Sequence, residues 1–167
     1  TLFPINSKFN LYEAYTEAWA EIINCVFVSF NSLKDKTDKE TFLLYCEFGL
    51  QLERIFTLYQ CDKVLKYMGL TYKQLVETTD SDIYRENTNV FSYYVVVAIL
   101  LNDYIGFMSW CNKNNLGFFQ FTNTFKNLNG FFELIKKNYK NKKLFDGFEC
   151  VLQKRRKSKS VILTTKP

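Results

Sequence analysis

Between residues 11 and 30 the apolar positions Tyr15, Ala18, Trp19, Ile22, Ile23, Cys25 and Val26 recur at helical intervals, the period of a helix rather than of a strand. They cover a wide face. The polar remainder is a narrow strip that carries Glu13, Glu17 and Glu21. Spacing of i, i+4 and i+8 sets these three carboxylates along one stripe. The pattern predicts a mostly buried helix from about Leu11 to Phe30 with one acidic edge. Asn10 is placed to cap it, and Glu13, three residues on, completes the spacing of a capping box.

After a polar loop, Leu44, Phe48, Leu52, Ile55, Phe56 and Tyr59 keep the helical period and predict a second long helix over Lys39–Met68. Asp38 caps it and Gly69 stops it. Thr71 opens a short helix through about Glu77, and Thr78–Asn89 reads as a loop. Val90–Cys111 is the third long helix. Its Tyr93-Tyr-Val-Val-Val97 stretch has strand-like composition, but the apolar pattern continues too far for a strand. Gly117–Phe121 can be extended, and Phe125–Tyr139 and Lys143–Lys154 read as shorter helices. Long elements with short connections predict an all-α fold, an irregular bundle of about five to six helices. Residues 1–152 form one domain in this reading, and 153–167 a basic flexible tail.

Composition supports that picture. Six Gly and two Pro in 167 residues leave little punctuation for an all-β domain. Seventeen Phe and eleven Tyr supply an aromatic core. The net charge of +5 belongs to the tail. Lys154, Arg155, Arg156, Lys157, Lys159 and Lys166 follow Gln153 with no acid among them, and without them 16 basic residues face 17 acidic ones. The body is therefore not a basic nucleic-acid surface. The tail resembles a nuclear-localisation or nucleic-acid patch, although solvated runs of this kind are common.

Cys25, Cys46, Cys61, Cys111 and Cys150 are odd in number and form no CxxC pair. That argues for free thiols in a reducing compartment and against a zinc site built from this chain's cysteines. The longest apolar run, Val90–Leu101, is too short for a membrane span of about 20 residues. No signal peptide is visible, so an intracellular location is expected, in host cytoplasm or nucleus or in a virion. A first residue of Thr1 suggests a processed product or a domain of a longer protein. Lysine outnumbers arginine 18 to 4, a bias that resembles products of AT-rich genomes.

The chain has no histidine. A Cys or Ser nucleophile would lack its usual base. Neither a phosphate-binding loop nor a dinucleotide fingerprint is present. Two carboxylates on one helix turn also cannot flank a glycosidic bond from opposite sides. The acidic stripe needs water, a basic group or a metal ion to offset its repulsion. It can be a cap and a solvated face. It can also be a metal-site helix, in which one carboxylate binds zinc and another, a turn later, orients a ligating histidine. Tyr84-Arg-Glu-Asn-Thr-Asn89 could border a substrate cleft, with Tyr93 or Tyr94 donating to an oxyanion. It can equally be a capping loop followed by core tyrosines.

Leu11-Tyr-Glu-Ala-Tyr-Thr-Glu-Ala-Trp-Ala20 resembles the third-ligand helix of gluzincin-type zinc metallopeptidases, with Tyr12 where that helix usually has Asn. Together with Thr88-Asn-Val-Phe-Ser-Tyr-Tyr94, it is similar to the helical carboxyl-terminal part of predicted metallopeptidases of large DNA viruses. The resemblance implies Glu13 as a Zn2+ ligand and Glu17 as the carboxylate behind a ligating histidine. Glu17 as ligand with Glu21 behind is the alternative register. It also implies that an upstream domain supplies a His-Glu-x-x-His motif, that the substrate is a peptide or protein, and that this chain alone is inert. The competing expectation is a non-enzymatic all-α structural or protein-interaction domain.

Overall fold

The computed structural model describes residues 2–7, 10–80, 82–86 and 88–164, with side chains described up to Lys154. The fold is all-α. Helix α1 is Leu11–Ser32, α2 Lys39–Tyr67, α3 Tyr72–Glu77, α4 Val97–Asn102, α5 Tyr104–Asn114, α6 Phe125–Asn138 and α7 Lys142–Thr164. The flexible tail expected over 153–167 falls largely beyond the described side chains.

Local signals act where the sequence puts them. Asp38 accepts from the Thr41 N–H at the start of α2, and Gly69, at φ 74°, ends the turn after it. Thr71 and Gln74 form a reciprocal capping box on α3. Helices α1 and α2 form an antiparallel hairpin, with α4 and the turn preceding it against both. The core is aromatic. Tyr15 lies edge-on to Phe107, Phe121 and Phe131 at 5.6, 5.1 and 5.7 Å, and Trp19 packs on Phe107. Cys25, Cys61 and Cys111 are buried free thiols, whereas Cys150 is exposed.

Three expectations are corrected. The third long helix is not continuous. Phe91–Val96 is π-helical, and after α4 the chain turns by 93° into α5. The bend sits at Asp103 (φ −128°, ψ 53°), whose carboxylate accepts from the Gly106 N–H and caps α5. Second, Gly117–Phe121 is not extended throughout: Gly117 and Gln120 bridge across a tight turn. Third, the helix cap at Asn10 is not a capping box, as described below. A two-residue parallel pair, β1 (Asn6–Ser7) with β2 (Arg85–Glu86), was not expected. It ties the segment before α1 to the loop before the π-helical turn.

Among the described residues no single helix is long and apolar enough to cross a membrane. The bent pair Phe91–Asn102 and Tyr104–Asn114 has suitable length and composition, but Val95 to Leu101 are buried in this core.

Candidate functional site

The acidic edge of α1 opens onto a cleft of about 500 Å3. Glu17 and Glu21 form one wall, and Phe56, Thr57 and Gln60 of α2 another. Thr88, Asn89, Val90, Tyr93 and Tyr94 close it. Two segments distant in sequence, the acidic helix and the run before α4, thus meet at one concave surface.

The π-helical turn is what delivers the tyrosines. It buries Phe91, Ser92, Val95 and Val96 and leaves the adjacent Tyr93 and Tyr94 at the cleft. Widened turns of this type are frequent at functional sites. Glu86 organises the approach. Its carboxylate accepts from Ser7 Oγ at 2.5 Å, from the Thr88 N–H at 2.6 Å and hydroxyl at 2.7 Å, and from the Phe91 N–H at 3.3 Å. Burial works to raise this carboxyl, but those hydrogen bonds win and hold it below its ordinary range. Arg85 pairs with Asp82 away from the cleft, and Tyr84 is a core residue. Asn87 lies outside the described residues.

Glu13 is released from capping. Asn10 accepts from the Tyr12 N–H, but its own backbone N–H donates to Ser92 Oγ at 2.8 Å. The reciprocal bond that Glu13 would make is therefore taken by another element. Glu13 keeps a 3.5 Å contact from the Asn10 amide, and its Oε2 is buried without a hydrogen-bond partner. A hydrogen bond to the Glu13 carboxylate, ahead of burial and of the Glu13 and Glu17 charges, holds the Tyr93 phenol above its ordinary range.

The raised carboxyl of the stripe is Glu21. Burial, then Glu53 and Glu17 nearby, push it up to about 7 against a bond from Thr57 Oγ1 at 3.3 Å. Burial also raises Glu53. Among the described residues no Lys or Arg pairs with Glu13, Glu17 or Glu21. A proton on Glu21 partly relieves the repulsion.

The donors fall short of a zinc site. They are carboxylates alone, and among the described residues no group of three or more His, Cys, Asp or Glu could hold a metal ion. The unpartnered Glu13 Oε2 has a lone pair to offer, but nitrogen ligands must come from elsewhere. By itself the cleft can accept hydrogen bonds and positive charge and can stack apolar groups on Phe56.

The stripe was legible as a set. Its neighbours were not: Thr57 and Glu53 sit on α2, one turn apart, as polar interruptions of an apolar helix. That interruption is the only sequence signal they leave. Comparison with protein-family models, curated proteins and solved structures yields no match.

Proposed function

We propose that this chain is the helical, site-completing part of a zinc-dependent metallopeptidase. The observation that carries the reading is convergence: Glu17 and Glu21 from one resembling segment and Thr88, Asn89, Val90, Tyr93 and Tyr94 from the other border one cleft, and Glu13 lies next to it through its hydrogen bond with Tyr93. In this reading Glu13 is the zinc ligand and Glu17 orients a ligating histidine. Glu17 with Glu21 is the alternative register, although Thr57 already occupies one Glu21 oxygen. The histidines and the general base come from a domain with a His-Glu-x-x-His helix seated over the cleft. Asn89, Tyr93 and Tyr94 face a peptide or protein substrate. No catalytic step is assigned to this chain, which has no histidine.

The test is zinc content and peptidase activity of the full-length protein. Glu13→Gln should abolish both, and Glu17→Gln should weaken zinc binding about 10–100-fold. Unchanged zinc content in both variants, or no His-Glu-x-x-His upstream, would sink the reading. A second reading, a non-enzymatic α-helical interaction domain, draws support from the exposed apolar face of α2.

A further inference from the structure

Helix α2 has an open apolar stripe. Tyr45, Phe48, Leu52, Phe56 and Tyr59 are all exposed, Phe48 at 64% and Leu52 at 52%. Their intervals are 3, 4, 4 and 3 residues, so the stripe reads Tyr, Phe, Leu, Phe, Tyr in either direction. At about 100° per residue all five lie within roughly 40° of the Leu52 direction. A helix turned end for end about an axis through Leu52 presents the same side chains at the same heights. That self-complementarity is what a two-fold interface between identical chains requires.

Charge selects the same arrangement. Asp38 stands on the stripe's face at one end and Lys63 and Lys66 at the other, whereas Lys39 and Glu40 point well away from it. Asp38 and Lys66 are symmetric about Leu52, as are Thr41 and Lys63. Antiparallel pairing places opposite charges together at both ends, and parallel pairing places like charges together. Lys66 is already bonded to Asp62, and Asp38 caps α2, so these groups set orientation more than strength.

The area is sufficient. Leu44 and Ile55 flank the stripe and are exposed too. With large apolar side chains presenting on the order of 200 Å2 each, seven at about half exposure offer roughly 700 Å2. A standard interface buries roughly 600–1,000 Å2 per partner, a range that includes this value, and the largest apolar patch of a typical monomer is about 300–600 Å2. Aromatic side chains are also those enriched at interfaces.

We propose that the chain forms a two-fold dimer through antiparallel α2–α2 packing centred on Leu52. Tyr45 meets Tyr59 of the second copy, Phe48 meets Phe56, and Leu52 meets its own counterpart. The dimer does not rest on the metallopeptidase reading, although Phe56 belongs both to the stripe and to the edge of the cleft, and its test measures mass and not zinc.

Light scattering after size exclusion, at tens of micromolar, should give twice the 19.8 kDa chain mass. Leu52→Glu sets two carboxylates face to face at the axis and should return the monomer mass with an unchanged helical circular dichroism spectrum. In a Cys46→Ala, Cys150→Ser background, Leu52→Cys should oxidise to a covalent dimer. Phe27→Cys, exposed on α1, should not. A wild-type monomer across that range assigns the face to a different protein and overturns the proposal. So does a dimer that survives Leu52→Glu, or equal crosslinking by both cysteine variants.

Discussion

The backbone N–H of Asn10 donates to Ser92 Oγ at 2.8 Å, joining the first residue before α1 to the π-helical turn. This bond places the acidic edge of α1 beside Tyr93 and Tyr94. It also takes the donor that Glu13 would otherwise satisfy. Position and availability of the Glu13 carboxylate thus follow from one contact between two elements.

Ser92 is fully buried, so its removal leaves the Asn10 N–H without that acceptor. Ser92→Ala should destabilise the chain by about 1 kcal/mol, a fall of roughly 2–4 °C in Tm for a domain of this size. Thermal unfolding followed by circular dichroism checks it. Unchanged stability would mean that another acceptor, Glu13 included, replaces the hydroxyl at no cost.

Glu21 makes stability depend on pH. Its folded-state pKa of about 7 lies above the ordinary 4.5, so the folded chain binds the proton more tightly than the unfolded chain between those values. Stability from this group is therefore greatest below about pH 4.5 and falls as pH rises towards 7. Glu21→Gln removes the penalty. Allowing for its partial exposure, the gain should reach about 1–2 kcal/mol above pH 7, and should vanish in acid. Glu53, shifted the same way, is one of the charges that raise Glu21, so part of the gain is relief of Glu53 as well. Urea denaturation of the pair at pH 5 and pH 8, roughly bracketing the transition, measures it. A difference independent of pH would contradict the raised carboxyl.

Local chemistry decided which features could be read in advance. Asn10, Asp38, Gly69 and Thr71 each act on backbone groups within a few residues, so their positions alone located helix ends. Asp103 acts locally as well, but Asn102-Asp103 also suits two polar positions of a continuing helix, so the sequence does not distinguish the 93° bend from an unbroken helix. The Asn6–Ser7 pairing with Arg85–Glu86 depends on distant segments meeting, and two residues carry no periodicity. Helical spacing in α2 identified the period but not which face is covered, because that helix is apolar nearly all round. The glutamate stripe was legible for the same reason that Thr57 was not: it lies on one helix, and the cleft is made by three elements.

The Asp103 bend can be tested at Gly106. A Cβ built on Gly106 would lie 2.2 Å from Asp103 Oδ2, so the capping carboxylate must leave. A lost cap costs about 1 kcal/mol and alanine's better helix propensity returns about as much, so Gly106→Ala should be close to neutral. Asp103→Ala should cost about 1 kcal/mol, and adding Gly106→Ala to it should recover most of that loss, since the cap is already gone. A Gly106→Ala gain in chemical denaturation that is the same with and without Asp103 would show that the carboxylate is not displaced.

Glu13 offers the sharpest separation of structure from function. Among the described residues its Oε2 is buried without a hydrogen-bond partner, a cost to folding that the bond between the Tyr93 phenol and this carboxylate only partly offsets. Glu13→Met keeps the length of the side chain and removes the carboxylate, together with its repulsion of Glu17 one turn away. The variant should be at least as stable as the parent, with a gain of about 0.5–2 kcal/mol, on the general ground that sites held for function are not optimised for stability. Chemical denaturation at neutral pH measures it in this chain without any partner. A loss of more than about 1 kcal/mol would identify Glu13 as a structural residue, and the carboxylate would then have no claim to be waiting for a ligand.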